Sequence, residues 1–194
     1  MKKKIYFIFF LLFFFGIQGE ELLKDWSYKN GYYAAAFVKA GEITDNLGVF
    51  GGIRASYIFN HILGIGVEFE SLLNNPSSAT QTQKDPFVND LKIGYGGLKC
   101  DWFFFPDKII HGSIGTLLGI GSLKTEVISS ETNEIEDRFG VIEPEINGIL
   151  AITKSFQLSL GISYRFLIKQ NYQYIDSKEL EGFNGIISLR LGSF

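Results

Sequence analysis

The chain has 194 residues, a formal net charge of −3, 46% hydrophobic residues and a single cysteine, Cys100. The acidic balance excludes a nucleic-acid-binding protein that relies on a basic surface. The lone cysteine excludes a fold held together by internal disulfides.

The N-terminus has the pattern of a secretory signal peptide. Three lysines follow Met1, and an apolar run then extends from Ile5 to Ile17. This run is shorter than the about 20 residues that a membrane-spanning helix needs, and Gly16 and Gly19 suit a cleavage site. We predict a signal peptide over residues 1–19, whose removal lowers the net charge from −3 to about −6. The alternative is an uncleaved membrane anchor.

Residues 20–31 form a predicted periplasmic segment, in which Glu20–Tyr28 is expected to fold as a short helix with Trp26 at the membrane interface. Beyond residue 19, charges and glycines interrupt every apolar stretch, so the sequence has no second candidate for a spanning helix. An exported chain this rich in Phe, Tyr, Ile and Leu is therefore expected to place its apolar surface on β-strands.

From about Tyr32 onward, apolar residues alternate with small or polar ones, which is the pattern of strands with two different faces. The first segment contains too many alanines for its faces to be assigned. In the fourth, the apolar phase changes at Gly96–Gly97, which predicts a β-bulge there. The predicted strands are Tyr33–Gly41, Leu47–Phe59, Leu63–Phe69, Leu91–Phe105, Ile110–Ile120, Ile142–Ile152, Phe156–Ile168 and Phe183–Phe194.

The connections between these strands alternate in length. Three are short, and four are longer and polar, which is typical of outer-membrane barrels with short periplasmic turns and longer external loops. The short connections are Asn60–His61, Pro106–Asp107 and Thr153–Ser155; the longer ones are Glu42–Asn46, Asn74–Val88, Lys124–Arg138 and Lys169–Glu181.

The charges decide which face of the strands points outward. A soluble barrel, the alternative, would hide its apolar face inside and show charges to water. Here the aliphatic face is bracketed by aromatics such as Trp102 and Phe69, as in the interfacial girdles of membrane barrels. The opposite face suits the narrow interior of an eight-stranded barrel. The charged residues predicted to lie there are Arg54, Glu68, Glu70, Lys99, Glu143, Glu145, Arg165 and Arg190.

This pattern, together with the terminal aromatic Phe194, resembles the OmpA/OmpX-type family of eight-stranded outer-membrane barrels over residues 32–194. The resemblance implies an all-β, antiparallel, up-and-down transmembrane β-barrel whose C-terminal strand is recognised by the outer-membrane insertion machinery. Phe194 is out of phase with the outward-facing Ile187, Leu189 and Leu191, and a bulge near Gly192 is expected to restore the phase.

Two interior features could carry function. The interior charges are expected to form a salt-bridge plug in which the arginines meet the glutamates; the alternative is a gated pore. His111 and Ser113 have the spacing of the pair used by some outer-membrane lipid A deacylases. They are expected inside the barrel near its periplasmic end, whereas such a hydrolase needs them facing lipid in the outer leaflet. We therefore predict no enzyme, no cofactor and no metal site.

The long connections are the remaining place for function, since binding residues concentrate on loops. Tyrosines among acids can form a protein-contact surface. We predict a monomeric, surface-exposed outer-membrane protein that binds host or environmental macromolecules as an adhesin does and binds no nucleic acid. The alternative is a structural envelope barrel with little or no pore activity. The candidate loop contacts are Glu131, Glu134, Glu136, Asp137, Tyr172, Tyr174 and Asp176.

Overall fold

The computed structural model describes residues 30–43, 46–74, 88–127, 133–168 and 180–194. Within these ranges, no helix is long and apolar enough to cross a membrane. Eight antiparallel strands each pair with the next, and the last pairs with the first, so the predicted eight-stranded up-and-down barrel is confirmed. The strands are β1 (Gly31–Ile43), β2 (Asn46–Phe59), β3 (Leu63–Leu72), β4 (Val88–Phe104), β5 (Ile110–Val127), β6 (Asn133–Ala151), β7 (Phe156–Ile168) and β8 (Gly182–Ser193).

One end of the barrel, which we call the turn end, carries the three tight connections. The β2–β3 turn is closed by a hydrogen bond of 2.9 Å from the Ile62 amide to the Phe59 carbonyl. Its central residues, Asn60 and His61, have φ angles of 50° and 56°, which the primed turns of tight hairpins require. The opposite end, the loop end, carries the connections at 44–45, 75–87, 128–132 and 169–179, which lie outside the described residues together with the predicted signal peptide and the predicted helix 20–28.

Side chains alternate between lumen and exterior along every strand. In β1, whose faces the sequence leaves open, Tyr33, Phe37 and Lys39 are buried in the lumen, and Val38 between them is exposed. The exterior is aliphatic in its middle, where the register row of Val67, Leu98 and Leu118 is exposed. Aromatic side chains lie nearer both ends of the exterior: Tyr57, Phe59 and Trp102 toward the turns, and Phe69, Phe166 and Phe183 toward the loops.

The predicted bulge at Gly96–Gly97 is wrong. The β3–β4 and β4–β5 registers run without a break through both glycines, and the register shift lies between Val88 and Asp90. Because the register is continuous, Ile93 and Tyr95 point into the lumen, where both are buried. The change of apolar phase in the sequence therefore reflects an apolar interior at the loop end.

Strands β5 and β6 extend further than the sequence predicts. The connection expected over Lys124–Arg138 is largely β-ladder, since pairing continues to Val127 opposite Asn133. Glu134, Glu136 and Asp137 therefore lie on β6 and not in a loop, and Asp137 is half-buried. Polar sequence alone does not end a strand when its partner supplies every backbone hydrogen bond.

The C-terminal residue closes the barrel from inside. The β1–β8 register is unbroken from Tyr32–Ser193 onward, so the bulge predicted near Gly192 is absent. The Phe194 ring stacks on Tyr33, a lumen residue, with 5.9 Å between ring centroids. Phe194 is therefore out of phase with Ile187, Leu189 and Leu191 because its side chain lies at the turn-end mouth of the lumen and theirs face outward.

The lumen contains two apolar plugs. The loop-end plug is packed from residues of five strands and Leu180, and the turn-end plug has Phe194 packed at its edge. Charged residues occupy the space between them. The loop-end plug consists of Ile43, Phe50, Ile93, Tyr95, Leu117, Leu123, Phe139, Val141 and Leu180; the turn-end plug consists of Tyr33, Ala35, Ile58, Phe103 and Ile149.

The close approach of β4 and β5 gives a first prediction. A methyl group at Gly97 would overlap the Leu118 carbonyl oxygen and the Gly119 Cα, whereas a methyl at Gly148 has its nearest neighbour, the Leu160 carbonyl oxygen, at 3.9 Å. We expect Gly97→Ala to lower the free energy of unfolding by about 1–3 kcal/mol and Gly148→Ala to change it little. Urea unfolding in phospholipid vesicles, followed by tryptophan fluorescence, measures both; equal midpoints would contradict the close approach.

Candidate functional site

All eight charged residues predicted for the interior are buried in the lumen, none more than 5% exposed. They lie in the lumen because successive side chains of a strand point to opposite faces, and the apolar residues next to them in sequence face outward. Glu143 and Glu145 flank Pro144 on β6, and the β6–β7 ladder is interrupted beside Glu143 and Pro144 because proline has no N–H to donate.

Lys39 is the centre of the ion cluster. Its Nζ donates to Glu68 Oε1 at 2.9 Å, to Glu70 Oε1 at 2.7 Å and to Glu143 Oε1 at 2.9 Å. These carboxylates come from β3 and from β6, so the ammonium ties β1 to strands elsewhere around the barrel. Its side chain is fully buried, and its three N–H donors match the three carboxylates.

Arg54 and Lys99 extend the cluster toward the turn end. The Arg54 guanidinium pairs with Glu68, its cross-strand neighbour, and with both oxygens of Glu145, at 3.1 and 2.8 Å. Lys99 donates to Glu145 Oε2 at 2.8 Å and lies 3.9 Å from Asp101. The bidentate contact between Arg54 and Glu145 fixes the orientation of the guanidinium and of the carboxylate.

Neutral side chains hold the glutamates in place. The Tyr95 hydroxyl donates to Glu143 Oε2 at 2.9 Å, and the Ser163 hydroxyl donates to the other oxygen of the same carboxylate. The Asn147 amide donates to Glu145 Oε1 at 2.6 Å. The Tyr95 bond satisfies a buried oxygen that none of the cations contacts, and the other two bonds add second donors to oxygens already paired with Lys39 and Arg54.

Arg165 and Arg190 do not join the ion cluster as expected. Arg165 donates to the Leu180 carbonyl oxygen at 2.8 Å, and its guanidinium carbon lies 4.6 Å from the Phe50 ring centroid. Arg190 donates to Ser159 Oγ at 3.3 Å and lies 5.2 Å from the Tyr33 ring centroid. Both guanidinium groups therefore sit on aromatic faces of the two apolar plugs.

The buried charges balance when the two arginines are included. Lys39, Arg54 and Lys99 contact five carboxylates directly, which leaves an excess of negative charge. Arg165 and Arg190, one at each end of the cluster, compensate this excess at longer range. Among the described residues, the buried basic groups are Lys39, Arg54, Lys99, Arg165 and Arg190, and the buried carboxylates are Glu68, Glu70, Asp101, Glu143 and Glu145, with His111 in addition.

The remaining sequence candidates lie apart from this cluster. His111 and Ser113 both face the lumen near the turn end; His111 Nδ1 lies 3.0 Å from the Lys108 carbonyl oxygen, and Ser113 Oγ accepts from Asn147 at 3.3 Å. In the described part of the chain, no group of three or more His, Cys, Asp or Glu side chains is arranged to hold a metal ion. The candidate loop contacts Glu131, Tyr172, Tyr174 and Asp176 lie outside the described residues, as do the side chains of Glu134 and Glu136.

Sequence reasoning missed two members of the cluster. Lys39 lies in β1, whose alanines hide the alternation, yet its spacing of two from Phe37 and four from Ala35 places all three on one face. Asp101 lies beyond the supposed bulge in β4. The eight predicted interior residues balance at four bases and four acids, so their charges gave no signal that a further cation and a further acid lay in the lumen.

A closed barrel with an aliphatic exterior and a lumen filled by ion pairs defines the chain as a small eight-stranded barrel of the outer-membrane type. Similar solved structures include Neisserial surface protein A, at 15% identity and a TM-score of 0.61, covering 84% of this chain and 96% of that one. The N-terminal β-barrel domain of Pseudomonas aeruginosa OprF has 8% identity and a TM-score of 0.55, covering 86% and 99%. Ail, the attachment invasion locus protein of Yersinia pestis, has 8% identity and a TM-score of 0.54, covering 85% and 99%.

At these identities the likeness confirms the fold of the OmpA/OmpX-type barrels. No protein-family model matches the chain. No curated protein matches its sequence.

The contacts of Lys39 give a second prediction. Lys39→Met keeps the length of the side chain but removes the ammonium that three buried carboxylates share, so we expect a loss of about 3–5 kcal/mol in the free energy of unfolding. Lys154→Met, at an exposed turn residue, is the matched control. Adding Glu70→Gln to Lys39→Met should restore part of the loss, because it removes one of the buried negative charges that Lys39 no longer compensates. Equal unfolding midpoints for Lys39→Met and Lys154→Met would exclude a structural role for the cluster.

Proposed function

We propose that the chain is a bacterial outer-membrane protein, with its turn end in the periplasm and its loop end at the cell surface. The exterior supports this, because it combines an exposed aliphatic band with aromatic side chains toward both ends. A closed barrel also satisfies every strand amide, as residence in lipid requires.

The observation that carries the functional proposal is the filled lumen. Three layers block it in succession: the loop-end plug, the ion cluster and the turn-end plug. A barrel closed in this way conducts little or nothing, so its function lies at its ends. The loop end offers the larger surface, since β4, β5 and β6 continue there beyond the last β3 and β7 pairs.

We propose that this surface binds extracellular macromolecules. Two proteins with the same fold carry names that support a surface role: one is a Neisserial surface protein, and another is an attachment invasion locus protein. Tyr172 and Tyr174, among acidic residues between β7 and β8, supply side chains of the kind enriched in protein interfaces. The second candidate function is a structural envelope barrel, which the ion cluster favours because it joins distant strands across the lumen.

The filled lumen predicts the absence of a pore. Folded protein inserted into a planar bilayer should give no discrete conductance steps at high protein loading, because side chains occupy the whole cross-section. A porin inserted in the same membrane is the positive control. Regular steps at low loading would contradict the closed lumen.

The adhesin proposal predicts that binding depends on loop-end residues. We expect Tyr172→Ser combined with Tyr174→Ser to weaken attachment of barrel-bearing bacteria to cultured animal cells at least about tenfold, since interface tyrosines often contribute 2 kcal/mol or more. Replacement of residues 128–132 by Gly and Ser should act in the same direction while sparing the paired ends of β5 and β6. Exchange of the turn residue Lys154 is the control.

Attachment that these variants leave unchanged, with the barrels correctly folded, would favour the structural role over the adhesin. Variants of the connection between β7 and β8, which contains Tyr172 and Tyr174, should leave Leu180 and Glu181 intact. Leu180 packs in the loop-end plug, and Glu181 Oε1 accepts from the Leu167 amide at 3.1 Å.

A further inference from the structure

A groove of about 840 Å³ crosses the outside of the barrel near its loop end. Its walls are apolar: Phe69 on β3 is 57% exposed, Ile120 on β5 78%, and Ile168 on β7 60%. These residues and the intervening glycines form one register row, Phe69–Gly96–Ile120–Gly140–Ile168. The groove therefore lies within the exterior that the proposed function assigns to the membrane.

Glycines leave part of the groove lining without side chains. Gly94 and Gly96 of β4 and Gly140 of β6 belong to its lining, so it is bare backbone where other strands carry aliphatic side chains. The Phe69 ring leans toward Gly96 and forms one wall. A space of this shape between larger apolar side chains fits an alkyl chain lying along the barrel.

A cation lies at the rim nearest the loops. Arg138 of β6 is exposed and lines the groove, opposite Ser122 of β5. Two register rows further toward the loops, Lys92 of β4 pairs with Lys124 of β5, and Glu136 of β6 is the register partner of Lys124. These two rows carry three basic residues and one acidic residue, so the end of the groove nearest the loops is net basic.

We propose that this groove binds a phosphate-bearing lipid of the leaflet at the loop end, with an alkyl chain over the glycines and the phosphate at Arg138. The proposal rests on the proposed membrane location of the barrel. The charge selects the occupant: an aliphatic partner would leave the basic rim unused, and a free anion would leave the apolar groove unused. A guanidinium donates two parallel hydrogen bonds to a phosphate, which suits Arg138 to this role.

The test measures which lipid the folded barrel retains. Protein reconstituted in phosphatidylcholine nanodiscs containing diphosphorylated lipid A is released into the gas phase, and native mass spectrometry counts the barrels that keep the lipid. Arg138→Gln should lower the lipid A affinity about tenfold, through loss of charge-assisted hydrogen bonds. Gly94→Leu should lower it similarly by filling the groove, since a side chain there has its nearest neighbour, the Glu70 carbonyl oxygen, at 3.7 Å.

Two variants at the turn end serve as matched controls. Lys154→Gln removes an exposed cation, and Gly148→Leu adds the same side chain at an outward glycine with a similar clearance of 3.9 Å. Both should retain lipid A as the unmodified protein does. Equal lipid A retention by all four variants would overturn the inference, and so would displacement of the lipid by inorganic phosphate combined with unchanged binding by Gly94→Leu. Failure of the protein to insert into vesicles would instead overturn the proposed membrane location.

Discussion

The contact of Lys39 with three glutamates is the constraint on which the rest of this barrel depends. Each of these groups would be costly to bury alone, and together they are stable only if the strands hold them within hydrogen-bond distance. Glu68 and Glu70 come from β3 and Glu143 from β6, so the cluster specifies strand neighbours and register at once. A one-residue slip in any of these strands would send a charge to the aliphatic exterior.

The ion cluster also explains the layers above and below it. Direct contacts leave excess negative charge, and the two arginines that offset it lie against aromatic rings, Phe50 at one end and Tyr33 at the other. The plugs thereby separate the charges from the two mouths of the lumen, which strengthens the ion pairs by excluding water. The same two plugs thus close the lumen and stabilise the ion cluster. Any binding function is left to the outer surface and the ends of the barrel.

Alternation along the strands carried most of the sequence prediction, because lumen and exterior differ sharply in polarity through the middle of the barrel. It failed where that contrast fades. Alanines hid the faces of β1 and with them Lys39, and the apolar interior of the loop-end plug made Ile93 and Tyr95 look outward-facing. Phe194 was out of phase because it closes the lumen. The ends of β5 and β6 could not be predicted, since their pairing depends on two strands supporting each other and not on local composition.

The length of β5 and β6 links the two proposed surfaces. Pairing with β3 ends at Ser71–Gly94, and pairing with β7 ends at Gly140–Ile168, while β4, β5 and β6 continue toward the loops. The β3 ladder stops in the row of Gly94, Ser122 and Arg138, which is the rim of the outer groove, and the β7 ladder stops two rows nearer the turn end. Beyond these rows β4, β5 and β6 continue as a three-stranded ribbon. The groove therefore lies at the base of this ribbon, where the shorter strands β3 and β7 end. A lipid bound there would pack against the point where the ribbon leaves the barrel, and so would orient the part of the protein that we propose contacts other molecules.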